Sequence, residues 1–259
     1  MRIVVLLKAV PVVGTEKLVD GWRVDRSNGI ESNGNDEYVL EAALKLIEAH
    51  GGEVVTLTVG PASSTEAIRK ALAMGATRAV LVQDDAIAGS DTLATGRILA
   101  AALGRLEYDL VVAGVDTSDG QGGVTTAGVA ALLGLPYLSY AASIEPDPSA
   151  GTVRIRHIGA VGHDMFEAAM PAFVSGTQLL GEPRYPSLRG IMQARSKEVA
   201  TWSLADLGID PSTVGASASR TAVLGAALPP ARAGATVVRD APDAAAQAIV
   251  AFLTARRLI

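Results

Sequence analysis

The stretch LVVAGVDTSDGQGGVTTAG, residues 110–128, decides the fold that we expect for this chain. It opens with a short apolar run, continues through a loop rich in glycine, serine, threonine and aspartate, and leads into a helix-like segment that extends to Leu133. A buried strand that passes through such a loop into a helix is typical of a parallel α/β sheet. Ligands bind outside the carboxyl ends of the strands in such sheets, so the stretch predicts a ligand-binding loop.

Three further apolar runs rich in β-branched residues precede this stretch, at residues 3–7, 54–59 and 78–82. Segments with helical periodicity separate them, which predicts a mostly parallel sheet with helices on both faces and right-handed crossovers. The capping-box pattern Ser63-Ser64-Thr65-Glu66 begins one of these helices. The predicted helices cover residues 37–49, 63–75, 91–103 and 122–133.

Two segments depart from this alternation. Residues 22–32 interrupt the first crossover, and Asn28-Gly29 between Val24 and Ile30 predicts a two-residue hairpin turn. After Pro136 the pattern changes to extended stretches, which predict antiparallel strands that extend the sheet. These strands are expected near residues 138–144, 152–157 and 172–175.

The last third of the chain has a different composition. From Gly181 onward the sheet-like patterning is lost, and small residues and proline dominate residues 214–242. Too few large apolar residues remain there for a separate core, so we expect an arm that lies on another surface, ending in an amphipathic helix over residues 244–256. The sequence thus predicts an α/β domain, residues 1–180, followed by an arm, residues 181–259.

The composition disfavours several classes of function. Of the 259 residues, 49% are hydrophobic, which is ample for the core of one large domain. Charged residues make up 19%. A net charge of −5 gives no electrostatic basis for binding nucleic acid or an anionic membrane. No apolar run is long enough to span a membrane, so we expect no direct membrane insertion. The absence of cysteine excludes disulfides and thiol chemistry, and it agrees with a cytoplasmic location.

The loop after the last buried strand suits an anion. Gly120, Gly122 and Gly123 allow the backbone to approach a ligand closely, and the first N–H groups of the next helix, with Thr125 and Thr126, suit a phosphate. The loop matches neither GxxxxGK[ST] nor GxGxxG, because Thr125 stands where the third glycine of the second motif belongs. From these residues alone, a phosphate site and a glycine-rich connecting loop are equally good interpretations.

The titratable residues form no arrangement typical of catalysis. The three histidines lack the spacing of metal ligands, and the adjacent residues Asp84 and Asp85 at a strand end predict a solvated turn rather than a carboxylate pair. Asp116 and Asp119 would either contact a ribose or shape the loop. No nucleophile, base and orienting group form a triad.

Four segments of the chain resemble the β subunit of the electron transfer flavoproteins, and the likeness spreads over nearly its whole length. The segments at residues 71–76 and 182–192, at this distance from each other in the sequence, are specific to that family. The four are VVLLKAVP at 4–11, GP with TEAIRKALAMGA at 60–61 and 65–76, the loop at 114–128, and EPRYPSLRGIM at 182–192.

This resemblance implies an adenine-nucleotide α-hydrolase-like fold, which is Rossmann-like, and an AMP held with its phosphate at the loop. Many of the family's contacts come from the backbone, so the side chains at these positions can vary. Carried onto this sequence, the cofactor-binding positions are Leu6, Lys8, Asn33, Asp36, Val59, Gly114, Asp119, Gly120, Gln121, Gly122, Gly123, Val124 and Thr125.

The resemblance also implies an electron carrier without bond-making chemistry of its own. The C-terminal region would embrace an α subunit that holds most of the FAD site, and Leu188 would enter an apolar pocket on a flavin dehydrogenase of the acyl-CoA dehydrogenase type. Electrons would then pass to a quinone oxidoreductase or another acceptor. Composition alone favours Leu188 and Ile191 as core residues of the arm. The partner-recognition positions implied by the resemblance are Arg184, Tyr185, Leu188, Ile191 and Met192.

Several positions depart from the family's pattern. RHIGAVGHD at residues 156–164 replaces an acidic run, and Asn33-Gly34-Asn35 replaces Asn-Pro-Phe. These differences favour a specialised branch, such as one serving a dedicated alcohol dehydrogenase. Two alternatives stay open, a β subunit of the bifurcating type with a second FAD in place of AMP, and a stand-alone nucleotide-binding protein of the universal-stress type.

Overall fold

The computed structural model describes the chain except for residues 16, 20, 21, 28, 228–233, 236 and 240. Residues 1–224 form one compact unit and residues 225–259 a second. The strands are β1 (Arg2–Leu6), β2 (Ala9–Pro11), β3 (Leu18–Val19), β4 (Arg23–Val24), β5 (Ile30–Ser32), β6 (Glu53–Val59), β7 (Arg78–Val82), β8 (Leu110–Gly114), β9 (Tyr137–Asp147), β10 (Thr152–Gly159), β11 (Gly162–Ala169), β12 (Ala172–Gly176) and β13 (Val199–Trp202). The helices are α1 (Gly34–His50), α2 (Thr65–Met74), α3 (Thr92–Leu103), α4 (Thr125–Leu133), α5 (Leu188–Ala194), α6 (Gly215–Ala218) and α7 (Pro242–Ala255).

The first unit is built on a nine-stranded sheet in the order β11-β10-β9-β12-β8-β1-β6-β7-β13. All neighbouring strands from β9 to β13 in this order pair in parallel, while β10 runs antiparallel to both β9 and β11. The predicted α/β fold, a mostly parallel sheet with an antiparallel extension, is confirmed.

Helices cover both faces of the sheet because the central strands are apolar on both sides. In β1, Ile3 and Val5 face a buried cluster that includes residues of α1 and α2. Val4 and Leu6 alternate with them and face a second cluster, which includes residues of α3 and α4. Residues 3–6 are all apolar, and their side chains point alternately to the two faces of the sheet, which is typical of a strand buried between two helical layers.

The first half of the chain follows the predicted elements closely. The four predicted parallel strands correspond to β1, β6, β7 and β8 with shifts of one residue at most. α1 begins three residues before the predicted start, and α4 begins at Thr125, three residues after it. The capping box before α2 does not form, because Ser63 lies in a 3-10 turn and donates its hydroxyl to the carbonyl of Arg26 at 2.7 Å.

Three expectations about strands are wrong, and one further strand was not expected. Asn28 lies outside the described residues, but Val24 and Ile30 do not flank a hairpin, because β4 pairs with β3 and β5 pairs with β2. β12 is an internal parallel strand, and its five fully buried residues agree with that position. β11 is an additional strand that pairs with β10, and β13 adds a parallel edge strand beyond Gly181, where no sheet was expected.

The second unit contains α7, which begins two residues before the predicted final helix. Pro242 occupies the start of the helix, where its missing N–H costs no hydrogen bond. Ile249, Val250 and Phe252 are exposed, and the Arg256 guanidinium lies 4.1 Å from the centre of the Phe252 ring.

No helix in the described part of the chain is both long and apolar enough to cross a membrane.

Thr56 and Thr58 form a matched pair on one face of β6. Both are buried, but Thr58 donates its hydroxyl to the carbonyl of Leu7 at 2.8 Å, whereas the Thr56 hydroxyl has no hydrogen-bond partner among the described residues. We expect Thr56→Val to raise the free energy of unfolding by about 1 kcal/mol, and Thr58→Val to lower it by about 1 kcal/mol. Urea unfolding of the two variants checks both signs, and a loss of stability in both would show that the Thr56 hydroxyl is satisfied.

Candidate functional site

A cleft of about 380 Å³ opens at the carboxyl ends of β1, β6 and β8. In the sheet, β1 lies between β6 and β8, so the chain proceeds to one side of β1 with β6 and β7 and reaches the other side with β8. Such a switch in direction leaves a crevice between the loops that follow the central strands, and open α/β sheets bind ligands there. The topology therefore assigns the cleft as the candidate site.

Most of the predicted cofactor-binding residues line this cleft. Those that line it are Leu6, Lys8, Asp36, Val59, Gly114, Gly120, Gly122, Gly123 and Thr125. The remaining four, which are not among its lining residues, are Asn33, Asp119, Gln121 and Val124. Ligand contacts by all of these residues stay predictions, but the structure gives several of the second group a part in shaping the loop.

The glycine loop, residues 114–124, is held from behind by Asn33. The side chain of this buried residue accepts the N–H of Ser118 at 3.1 Å and donates to the carbonyl of Asp116 at 2.9 Å. Gln121 adopts a left-handed conformation with φ of 44°, which costs energy for a residue with a side chain, and Gly123 follows with φ of 61°. The loop is thereby folded back so that it leads directly into α4.

Two helices begin beside the cleft, and their N-termini differ. Asp91 caps α3, since one of its carboxylate oxygens accepts the N–H of Ala94 at 2.9 Å and the other accepts that of Arg220 at 2.8 Å. At α4 the capping position is Val124, whose side chain offers no hydrogen bond. The first N–H groups of a helix carry a partial positive charge. Because no side chain caps those of α4, the N-terminus of α4 suits an external anion better than that of α3.

A cluster of two cations and one carboxylate forms another wall. Lys8 Nζ lies 2.8 Å from one carboxylate oxygen of Asp119, and the guanidinium of Arg26 pairs with the other oxygen. Burial alone would raise the pKa of Asp119, but the hydrogen bond and charge of Lys8, with the charge of Arg26, hold the pKa below its usual value. The cluster carries a net charge of one positive unit, and both cations line the cleft.

Asp36 joins the ends of the two central strands. Its carboxyl group is buried and accepts the backbone N–H of Lys8 at 2.8 Å and that of Gly114 at 3.2 Å. Burial raises the pKa of Asp36 to about 7, despite these hydrogen bonds and the nearby charge of Lys8. Asp36 thus holds the residues after β1 and at the end of β8 in a fixed relation at the floor of the cleft.

The raised pKa of Asp36 predicts a pH dependence of stability. Between the ordinary value of 3.8 and the folded value of about 7, the folded protein binds the proton more tightly than the unfolded chain. The contribution of Asp36 therefore falls as pH rises through this window, by up to about 1.4 kcal/mol per pH unit, and is constant above it. Urea unfolding from pH 5 to 8 should show this decline in the unmodified protein. Asp36→Asn should lack it, and an identical decline in the variant would contradict the assignment.

The sequence did not point to several residues of the cleft. Ser90, Thr92 and Thr95 line it from the start of α3, and Arg26 lines it from the segment before β5. The α3 residues follow β7, so the rule that ligands bind at strand ends could have found them. Arg26 does not follow a strand of the nine-stranded sheet, so the same rule would not have found it. None of the three histidines lines the cleft.

Most of the predicted partner-recognition residues form an exposed patch on α5 and the segment before it. Tyr185 is 96% exposed and Leu188 is 77% exposed, and Ile191 and Met192 are also exposed. The alternative interpretation of Leu188 and Ile191 as core residues is wrong in this structure. Arg184 differs from the others, because its guanidinium is hydrogen-bonded to Glu41 and Glu48 of α1.

α5 is fixed to α2, so the patch does not lie on a free loop. Gly190 faces the carbonyl of Ala73 so closely that a Cβ atom would lie 2.3 Å from that oxygen. Arg69 of α2 donates to the carbonyls of Ala194 and Lys197 at 2.6 and 2.9 Å. These contacts present the apolar side chains of α5 on a rigid support.

Comparison with known proteins agrees with the observed α/β fold. Residues 21–207 match the family model described as the electron transfer flavoprotein domain, and this range covers most of the chain. The chain belongs to the electron transfer flavoprotein family. Family membership accounts for the resemblance of the four sequence segments, and it implies a part in electron transfer in association with flavin.

Relatives within the electron transfer flavoprotein family match the chain over nearly its full length. The electron transfer flavoprotein subunit beta of Mycobacterium leprae is 40% identical, with 100% of this chain and 99% of that protein covered. Protein FixA of Azorhizobium caulinodans is 35% identical over 99% of this chain and 95% of its own length. The caffeyl-CoA reductase-Etf complex subunit CarD of Acetobacterium woodii is 33% identical, with 92% of each chain covered.

Proposed function

We propose that this chain is the β subunit of an electron transfer flavoprotein, which pairs with an FAD-carrying α subunit and holds AMP in the cleft. The observation that carries this proposal is the cleft at the switch point of the sheet, where an uncapped helix end and a glycine loop meet. The full-length match to proteins named as β subunits supports an electron carrier over a stand-alone nucleotide-binding protein. The chain itself makes and breaks no covalent bond in this proposal.

The walls of the cleft fit the parts of AMP. Amides at the start of α4, the hydroxyl of Thr125 and the cation of Lys8 would hold the phosphate. Apolar residues, among them Leu6, Val59 and Leu99, would lie against the adenosine part. A volume of about 380 Å³ is at the low end of the range for small-molecule sites, which favours a mononucleotide over a dinucleotide.

The electron-carrying chemistry would come from the FAD held mainly by the α subunit. This chain would shape one side of the flavin site and dock a flavin dehydrogenase through the patch around Leu188. The exposure and rigid support of that patch favour such docking, because a preorganised apolar surface loses little entropy on binding. Electrons would pass from the dehydrogenase to the flavin and then to a quinone oxidoreductase or another acceptor.

The content of the native protein tests the nucleotide assignment. We expect the purified full-length chain to be colourless and to release one equivalent of AMP when it is denatured, as measured by chromatography and mass spectrometry. Purified from its source, it should be accompanied by a yellow partner in equal amount. A native chain with no adenine nucleotide would overturn the AMP assignment, and a chain that occurs only as a homodimer would overturn the α-subunit pairing.

A second FAD in this cleft is the other candidate. The name of the relative CarD places that protein in a caffeyl-CoA reductase-Etf complex, so relatives of this chain also occur in dedicated assemblies. An absorption spectrum of the isolated full-length chain separates the two candidates. Flavin bands in the visible region would support FAD, and their absence together with released AMP would support the mononucleotide.

A further inference from the structure

Three hydroxyl groups join the first turn of α4 to the centre of the sheet. Thr126 Oγ1 lies 2.8 Å from the hydroxyl of Tyr137, which lies 2.8 Å from Ser175 Oγ. Thr126 and Ser175 are buried, and Tyr137 is partly buried at the start of β9. A tyrosine hydroxyl donates one hydrogen bond and also accepts, so Tyr137 serves both neighbours.

These three hydroxyl groups connect the helix after the glycine loop to β12, the strand that also holds the start of the loop. Ser175 lies on β12 opposite Ala113 of β8, immediately before the loop begins. The next residue of β12, Gly176, accepts the N–H of Val115 at 3.1 Å. The beginning of the loop is thus fixed to β12 by backbone pairing, and the helix that follows the loop is fixed to the same strand through Tyr137 and Ser175.

The position of α4 along its axis depends on this second attachment. Gln121 has a positive φ, so the loop reaches α4 through a backbone conformation that a residue with a side chain does not favour. Thr126 is the second residue of α4, so its own N–H is one of the first-turn amides that lack an intrahelical acceptor, and the placement of these amides follows that of Thr126. Hydrogen-bond donors contribute fully to anion binding only when they are held in place before the ligand arrives.

We propose that Tyr137 is a positioning residue for the phosphate of the nucleotide. The proposal rests on the proposed function, because it concerns the same cleft. Tyr137 acts through Thr126 and does not itself line the cleft. The apolar walls that would contact the adenosine part belong to β1, β6 and α3, which are outside the hydroxyl chain, so Tyr137 contributes to recognition of the phosphate and not of the nucleoside.

A single substitution isolates the hydroxyl. The Tyr137 ring packs against Phe173 with centroids 5.9 Å apart, and Tyr137→Phe retains this packing while it removes both hydrogen bonds. The full-length chain, stripped of nucleotide on charcoal, is titrated calorimetrically with AMP and separately with adenosine. We expect Tyr137→Phe to weaken AMP binding about tenfold and adenosine binding less than about twofold.

A control and a second variant keep the test decisive. Thr77→Val removes a hydroxyl that accepts the N–H of Val54 at the opposite end of the sheet, and it should leave the ratio of the two affinities unchanged. Ser175→Ala removes the hydroxyl at the other end of the hydrogen-bonded series and should lower the ratio of AMP affinity to adenosine affinity, as Tyr137→Phe does. It therefore tests the proposal even if Tyr137→Phe does not fold. AMP binding by the unmodified protein with an unchanged ratio in the folded variants would overturn this proposal alone. Failure of the unmodified protein to bind AMP would overturn the proposed function and this proposal together.

Discussion

Replacing Arg184 with alanine is expected to lower the free energy of unfolding by about 3 kcal/mol. The Glu41 carboxylate is only 4% exposed, and Arg184 contacts its two oxygens at 2.7 and 3.0 Å. Without the guanidinium, a buried negative charge would be left with Lys45 at 3.6 Å as its ion-pair partner among the described residues. The loss is at the low end for a broken buried pair, because Arg184 is 34% exposed and water screens part of its charge.

Glu48→Ala is the matched control for this prediction. Glu48 binds the same guanidinium at 2.5 Å but is exposed, so its loss should cost less than about 1 kcal/mol. Burial would raise the pKa of Glu41, but the hydrogen bonds and charge of Arg184 hold it below 4.5. The stability that Arg184 provides is therefore complete above that value and declines as pH falls through the lowered pKa. Urea unfolding at pH 7 and pH 4 should show a smaller difference between Arg184→Ala and the unmodified protein at pH 4. Equal losses in the two variants at pH 7 would contradict the buried-pair explanation.

Arg184 faces a different way from the other predicted partner-recognition residues. The resemblance placed Arg184 with Tyr185 and Leu188 in one partner-recognition segment. In the structure, Arg184 turns toward α1, while Tyr185 and Leu188 are exposed. A motif conveys which positions belong together but not which side chains face inward, because that depends on residues such as Glu41, 143 positions away.

The central strands were predictable because their environment is simple. β7 corresponds to the expected residues at both ends, since a strand buried on both faces requires an unbroken apolar run. β12 has the same apolar character, but its place between β8 and β9 depends on where the chain returns after β10 and β11. β13 is a short strand at the edge of the sheet and none of its residues is fully buried, so its composition did not distinguish it from a loop.

The glycine loop was predictable in position but only partly in function. Its glycines and threonines indicated a backbone that approaches an anion, and Gly120, Gly122 and Thr125 do line the cleft. Asp119 was expected at the nucleotide, yet its carboxylate pairs with Lys8 and with Arg26, which lies 93 positions away. The residues around Asp119 in the sequence do not distinguish a carboxylate that faces a ligand from one that neutralises cations distant along the chain.

Gly114→Ala is expected to have the largest effect on the cleft itself. A Cβ atom at this position would lie 2.6 Å from both Asn35 Cβ and Asp36 Oδ1 and 3.0 Å from the carbonyl carbon of Asn35. The backbone at the start of α1 is anchored in the core, so it cannot move aside without a cost. We expect the free energy of unfolding to fall by about 2 kcal/mol, which is a typical cost of overpacking.

The same substitution should also remove most of the nucleotide, because Gly114 is the first residue of the glycine loop and its N–H is bound to Asp36. Displacing Asp36 loosens its second hydrogen bond, to Lys8, so two walls of the cleft shift together. Gly128→Ala is the control. Gly128 is exposed within α4, and an added Cβ would meet no atom within 4 Å apart from neighbouring residues and the backbone of its own helix. Alanine there should raise the free energy of unfolding by up to about 1 kcal/mol and leave AMP content unchanged. Urea unfolding and quantification of AMP released from each purified variant provide the two measurements. If Gly114→Ala retained both stability and AMP, the contact between the end of β8 and the start of α1 could not be what fixes the loop.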